Sequence, residues 1–278
     1  MRLADHDGRA TLLVDAGGVD VATASGGRFG PDIQSLYDGW SAFVAFADEL
    51  RAGSPPTVPV DEARFGNPAP RPRQVFGIGL NYRAHAAESG VEVPGTPATF
   101  TKFPACLTGP NADVELPSGN VDWEVELVAV IGERADRVAE ADGWAHVAGV
   151  TIGQDLSERV VQRAAGGQFC LGKSYRGFGP MGPVLVTPDE LDDRDDLGLG
   201  CAVDGEVVQQ SRTSDMVFSV RRLVAELSAV VPLLPGDVIF TGTPEGVGAR
   251  RSPPRFLRPG QVLESWIEGV GRLRTSFS

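Results

Sequence analysis

Apolar positions along this chain follow two periods. Residues 35–53, SLYDGWSAFVAFADELRAG, space their apolar side chains helically and stop at Gly53, so the spacing predicts a helix. The short runs before it, TLLVD and VDVATAS, predict strands. Six prolines then fall between Pro55 and Pro72. Proline fixes φ and removes a donor, so an extended connector is expected there. Beyond residue 70 strand-like runs dominate, among them QVFGIGLNY, ADVELP, WEVELVAVIG, AHVAGVTIGQD, PVLVTP, GLGCAVDGEVVQ, GDVIFTGT and QVLESWIEG. Helical stretches interrupt them around Tyr82–Ser89 and Ser219–Val230. The expected fold is α+β and β-rich, with a main domain over 71–278 and a small N-terminal α/β domain over 1–70. A doubly wound sheet does not fit this spacing.

Composition narrows the classes. With 42% hydrophobic residues in 278, the chain can bury a core. A net charge of −12 argues against nucleic acid and against an anionic membrane surface as partners. No apolar run approaches the ~20 residues of a membrane span, and MRLADHDGRA carries no secretory pattern. Three cysteines without a CxxC spacing fit a reducing cytoplasm. Arginine occurs 23 times and lysine only twice, at Lys102 and Lys173. In such a chain a lysine is expected where a compact ammonium is needed. Two glycine motifs fail: Gly77-Ile-Gly79 lacks the third glycine of a dinucleotide fingerprint, and TGTPEGVGAR lacks the GK[ST] of a phosphate loop.

The most informative segment is Asp122-Trp123-Glu124-Val125-Glu126-Leu127. Read as a strand, it turns Glu124 and Glu126 to one face, continued by Val128 and Val130. Trp123, Val125, Leu127, Ala129 and Ile131 form the other. Two apolar faces mean burial on both sides. Two carboxylates at the end of such a strand need compensation, and a cation is the simplest. Asp155, at the end of a strand-like run, can supply a third oxygen. An all-oxygen set selects a hard divalent cation, Mg²⁺ first, then Mn²⁺ or Ca²⁺. The alternative is an ordinary pair of solvent-facing glutamates. Arg159 and Gln162 follow Asp155 at spacings that could share one helical face, and Lys173 stands in a Gly/Pro-rich loop. Together these groups suit an anionic substrate.

With these segments in order, the chain resembles the fumarylacetoacetate hydrolase family. The motifs are GLNYRAHAAE, the lysine of FTKFP, DWEVEL, QDLSERVVQ, LGKSYRGFGPMGP and PGDVIFTGTPEGVG, spanning about Gln74 to Ser278. The resemblance implies the family's β-roll-like fold, a divalent metal and a homodimer. It implies Glu124, Glu126 and Asp155 as metal ligands, and His85 with Glu88 as the pair that activates water. It implies Lys173 as the active-site lysine, and Arg159, Gln162, Thr243 and Lys102 as substrate contacts. The implied activity is hydrolysis of a C–C bond in an acylpyruvate or diketo acid through a metal-stabilised enolate. Isomerisation of a 2-hydroxymuconate-type diacid, oxaloacetate-type decarboxylation and a silent oxo-acid binder are the alternatives. Relatives often read DxSARDxQ where this chain reads DLSERVVQ, so Glu158 stands where alanine is usual. The loop ESGVEVPGTPATF after the His85 helix is expected to act as a lid.

Overall fold

A computed structural model describes all of residues 1–278 except Ala16, Ser54 and Ala165. Its centre is the strand Val125–Ile131, every residue of which is buried. The alternation read from the sequence is present. Trp123, Val125, Leu127, Ala129 and Ile131 join one apolar cluster, while Val128 and Val130 join a second. A strand sandwiched in this way must be apolar on both faces, which accounts for its unbroken hydrophobic run.

The strand belongs to a large mixed sheet. In spatial order its strands are Gly17–Asp20, Arg9–Val14, Arg2–His6, Gly179–Val186, Val147–Gln154, Val125–Ile131, Val238–Phe240, Val75–Gly79 and Ala98–Thr101. A second sheet runs Glu206–Arg212, Gly198–Val203, Val262–Ile267, Gly271–Phe277 and Asn111–Val114. The first apolar cluster holds Leu199, Cys201, Leu263 and Leu273 of the second sheet together with Val125 and Leu127 of the first, so it fills the space between the two. The second cluster holds Val128, Val130 and Phe240 with Ile33, Leu36 and Phe43. The N-terminal helices thus cover the face of the large sheet turned away from the smaller one. This is the β-rich α+β architecture expected, with helix confined to a few short segments.

The N-terminal strands are hydrogen-bonded into the same sheet as the rest, because Arg2–His6 pairs antiparallel with Gly179–Val186. Three local readings change. VDVATAS is not one strand: Asp20 ends the strand and caps a helix over Val21–Ala24, accepting from the Thr23 N–H at 2.8 Å. The helix expected over 35–53 is divided into Ile33–Leu36 and Trp40–Ala52 by a 3₁₀ turn, Tyr37–Gly39, whose Gly39 leaves helical geometry at φ −140°. Ala98–Thr101, expected within a loop, pairs with Val75–Gly79 as an edge strand. Its alternation is too short to register as a period. Among the described residues no helix is long and apolar enough to cross a membrane.

Sheet register sets up the acidic cluster. Val125–Ile131 and Val147–Gln154 are antiparallel, with Gly153 opposite Glu126 and Gln154 opposite Val125. Gly153 leaves no room for a side chain: a Cβ there would lie 2.5 Å from Val128 Cγ2 and 2.6 Å from Phe240 Cε1. Gly153→Ala is therefore expected to cost about 1–3 kcal/mol through overpacking. A lowered urea midpoint at unchanged slope would show it.

Candidate active site

Each side chain of the cluster arrives by a different local device. Trp123 and Glu124 lie just before the long strand, outside its ladder. Their N–H groups are satisfied by side chains instead. The Trp123 N–H donates to Asp122 Oδ1 at 2.9 Å and the Glu124 N–H to Gln154 Oε1 at 2.9 Å. Asp155 follows directly on Gln154, and its N–H donates to the Glu124 carbonyl at 2.9 Å. The register thus brings Asp155 alongside Glu124 and Glu126. One oxygen from each of the three carboxylates lies within 4.8 Å of the others, and all three residues are buried.

Cations surround two of the three acids. Lys173 Nζ donates to Glu124 Oε2 at 2.8 Å, Asp155 Oδ2 at 2.5 Å and Ser157 Oγ at 3.0 Å. Arg159 Nη2 stands 2.7 Å from both Glu124 Oε1 and Asp122 Oδ2. Burial alone would raise the Glu124 pKa, but Lys173 and Arg159 outweigh it and pull it down to about 2. The same neighbours act in reverse on Lys173: burial would lower its pKa, and Asp155 and Glu124 carry it above its ordinary value. Glu126 is different. It accepts the Gly242 N–H at 2.7 Å. Burial first, then repulsion from Asp155 and Glu124, push its pKa well above the usual carboxylate range despite Lys173.

This imbalance is the test of fit for a metal. The donors are all oxygen, one of the three carboxylates is undercompensated, and a hard cation would relieve it. A six-coordinate ion with bonds of about 2.1–2.4 Å separates its ligand oxygens by up to about 4.8 Å, and the three carboxylate oxygens lie within that distance of one another. The residues present therefore fit a divalent cation.

The His85–Glu88 pair sits on the short helix Arg83–Glu88. His85 Nδ1 lies 3.1 Å from Glu88 Oε2, as a three-residue spacing on a helix allows. Glu88 Oε1 also accepts the Gly246 N–H at 3.0 Å, tying the helix to the turn after Thr243. Burial opposes ionisation of Glu88, but its bonds to His85 and Gly246 prevail and its pKa is lowered. Asn81 anchors the start of this segment. It accepts from the Phe218 N–H at 2.8 Å and donates to the Thr241 carbonyl at 2.6 Å.

A cavity of about 250 Å³ reaches the cluster at Glu124, while Glu126, Asp155 and Glu88 lie outside its lining. His85, Glu124, Arg159, Gln162, Lys173 and Thr243 all line it. A larger depression of about 770 Å³, lined by residues such as Arg2, Arg212 and Trp266, contains none of the candidate residues. Two expectations change on geometry. Asp155 does not share a helical face with Arg159 and Gln162, because the short strand Ser157–Glu158 intervenes and the helix begins only at Arg159. Lys102 does not line the cavity. It is fully buried behind Asp155, donating to Asp155 Oδ1 at 2.6 Å, to the Phe178 carbonyl at 3.1 Å and to the Lys173 carbonyl. It holds Asp155 and the lysine loop in position rather than facing a ligand. Thr243 lines the cavity, but its hydroxyl is engaged, donating to the Val125 carbonyl at 3.0 Å and accepting from Gln209 Nε2 at 2.9 Å.

Several supporting residues have no signal as single letters in the chain. Asp122 is fully buried and receives Arg159, the Gly248 N–H at 2.7 Å and the Ala249 N–H at 3.0 Å. Gln154 and Gln209 replace ladder bonds near the acids. Glu158, the residue that departs from the usual motif, accepts from the N–H groups of Asn120, Val160 and Val161. It caps the helix that carries Arg159 and Gln162, so a carboxylate serves a structural purpose there.

A divalent cation at the acidic cluster is expected to stabilise the fold, because it binds N and not the unfolded chain. At 100 times its Kd the gain is about 2.7 kcal/mol, or roughly 5–10 °C in Tm for a chain of this size. EDTA should reverse the shift. Glu126→Gln should abolish it while leaving the metal-free Tm undiminished, since burial and the neighbouring acids already oppose a charge at that position and the amide carries none. Thermal unfolding of both proteins, with and without Mg²⁺ or Mn²⁺, checks this.

Comparison with known proteins agrees with this architecture. Residues 74–278 match the family model for the fumarylacetoacetate (FAA) hydrolase C-terminal domain. Oxaloacetate tautomerase Fahd2a, mitochondrial, of Rattus norvegicus is 42% identical over 241 residues, covering 86% of this chain and 77% of that protein. The crystal structure of an HpcE candidate from Mycobacterium smegmatis superimposes with a TM-score of 0.93 at 53% identity, covering 100% of this chain and 99% of the other. Maleylpyruvate hydrolase from Sphingobium sp. SYK-6, in complex with manganese(II) and pyruvate, gives a TM-score of 0.81 at 27% identity, covering 100% and 98%. Members of the matched family are enzymes. The chain belongs to the fumarylacetoacetate hydrolase family.

Proposed function

We propose that this site hydrolyses the C–C bond of an acylpyruvate or a related diketo acid. The observation that carries the reading is that His85, bonded to Glu88, lines the same cavity as Arg159, Gln162, Lys173 and Glu124 of the acidic cluster. Hydrolysis needs an activated water, and this pair is built to activate one. Glu88 engages Nδ1 of His85, which leaves Nε2 as the ring nitrogen that takes a proton from water. A divalent cation held by Glu124, Glu126 and Asp155 would supply Lewis-acid stabilisation of negative charge on the oxo oxygen. Mg²⁺ is the first choice, with Mn²⁺ or Ca²⁺ as substitutes. Arg159, fixed by Asp122 and bonded to Gln162 Oε1 at 3.0 Å, orients the substrate carboxylate. Lys173 donates to charge that develops as the bond breaks.

A second reading has a specific observation behind it. The rat relative is named an oxaloacetate tautomerase. On this chain His85 and Glu88 would then move a proton between oxygen and carbon of an oxo acid, with no water consumed. Decarboxylation needs no activated water and gives the pair no task. We further propose that residues 1–70 form a small unit joined to 71–278 through the shared sheet, and that the chain forms a homodimer.

Acetylpyruvate and oxaloacetate, each assayed with Mg²⁺ and then with EDTA, separate the readings. Hydrolysis adds the mass of water, tautomerisation adds nothing, and decarboxylation removes CO₂. The expected result is metal-dependent hydrolysis of acetylpyruvate. His85→Ala should lower kcat/KM by about 10²–10⁴-fold while the Kd for Mn²⁺ stays unchanged. Wild-type hydrolysis by that variant would remove His85 from the mechanism.

A further inference from the structure

The backbone run after Thr243 is held from two sides by groups that belong to different halves of the machinery. Glu88, of the water-activating pair, accepts the Gly246 N–H through Oε1 at 3.0 Å. Asp122 accepts the Gly248 N–H through Oδ1 at 2.7 Å and the Ala249 N–H through Oδ2 at 3.0 Å. The same Oδ2 receives Arg159 Nε at 2.8 Å and Arg159 Nη2 at 2.7 Å. Four consecutive residues thus meet His85 by way of Glu88 and Arg159 by way of Asp122. Local sequence allows this. Asp122 ends the strand Val121–Asp122 opposite Ser157 of Ser157–Glu158, and that pairing sets it beside Arg159. Gly246 has φ +95°, which glycine adopts without steric cost. A Cβ on Gly248 would lie 2.8 Å from Asp122 Oδ1 and 2.9 Å from Trp123 Cη2, so glycine is what admits the carboxylate this closely. Trp123 Nε1 donates to the Gly246 carbonyl at 3.1 Å and adds a further tie. With the Trp123 N–H, five donors converge on the buried Asp122 carboxylate. A carboxylate offers about four lone-pair sites, so a shift of one donor is felt by the others.

We propose that the turn 246–249 couples the Arg159 clamp to the His85–Glu88 pair, with Asp122 as the positioning residue that joins them. This rests on the roles given above to Arg159, His85 and Glu88, and deepens them. When Arg159 engages a substrate carboxylate, its share of Asp122 Oδ2 changes. The Gly248 and Ala249 N–H groups adjust to the same carboxylate. Gly246 passes the adjustment to Glu88, and Glu88 sets the orientation of His85. Binding energy from the substrate carboxylate then goes into aligning the base, so it acts on kcat as well as on KM. A water-activating pair gains from this arrangement, because the base is fully aligned only when a substrate is held. Asp122 itself lies outside the cavity lining and acts through Arg159 and the turn.

The chain has three histidines, so ¹⁵N-histidine labelling lets NMR read His85 against His6 and His146. Asp122→Asn is close to isosteric, but its NH₂ must face donors on one side or the other. Either the Arg159 and Ala249 bonds or the Trp123 and Gly248 bonds are lost. The His85 ring signals should move in this variant while those of His6 and His146 stay. In a Glu88→Ala background the same substitution should leave His85 where Glu88→Ala alone puts it, because the coupling passes through Glu88. His85 signals that do not move, or that move equally in both backgrounds through a long-range field, overturn the inference. Trp123→Phe removes the indole bond to Gly246 without touching a charge. It should move His85 in the same Glu88-dependent way, and it decides the matter if Asp122→Asn does not fold. With acetylpyruvate and Mg²⁺, Asp122→Asn should lower kcat about tenfold or more as well as raise KM. A raised KM at unchanged kcat would make Asp122 an orienter of Arg159 alone and overturns the coupling. Absence of hydrolysis by the wild type overturns the proposed function, and the histidine spectra then decide the coupling by themselves.

Discussion

Burying several carboxylates at the end of a two-sided apolar strand is the constraint on which the rest of this molecule depends. Glu124, Glu126 and Asp155 are removed from water, and each loses solvation that only fixed positive charge or hydrogen bonds can replace. Lys173 and Arg159 supply charge to Glu124, and Lys102 and Lys173 supply it to Asp155. Glu126 has one backbone N–H and the weaker attraction of Lys173. The undercompensated acid is what gives the site its demand for a further cation. The two lysines of the chain are both spent here, where a compact ammonium can reach carboxylates and backbone carbonyls together.

The scaffold exists to make that burial possible. The strand Val125–Ile131 is covered on one face by the second sheet and on the other by the N-terminal helices. Glutamines take over where the ladder is interrupted: Gln154 and Gln209 receive the Glu124 and Val125 N–H groups, and Gln209 also donates to Thr243. The irregular backbone at Trp123–Glu124 is thus satisfied from the side. Glutamate side chains can then leave the sheet and meet a loop lysine. The Arg83–Glu88 helix is short, and its position comes from Asn81 and from the Glu88–Gly246 bond rather than from a packed hydrophobic stripe. The groups proposed to move protons are therefore held by a few polar contacts. Such contacts can break and reform during a catalytic cycle more easily than a core can.

How legible the site was depends on the kind of signal each residue carries. Glu124 and Glu126 stand out because charge interrupts a strict two-residue period. His85 and Glu88 stand out because they lie three positions apart on a helical stretch. Asp122, Gln154 and Gln209 carry no such contrast. A polar residue beside a strand reads as a turn until its partners, up to 127 positions away, are known. Lys102 shows the converse. Its rarity marks it as important, but only the structure turns it behind Asp155 instead of into the cavity.

The sequence by itself determined the β-rich class, the two-faced burial of the central strand and the family motifs, because these are local periodicities and ordered short patterns. Tertiary structure alone decided which charges neutralise one another. Arg159 and Arg163 are four residues apart on one helix, yet one is locked to Asp122 and Glu124 and the other lines the cavity without a carboxylate partner among the described residues. Their chemistry as letters is identical. The difference lies in burial and in the distance to acids from remote strands, which no local pattern encodes.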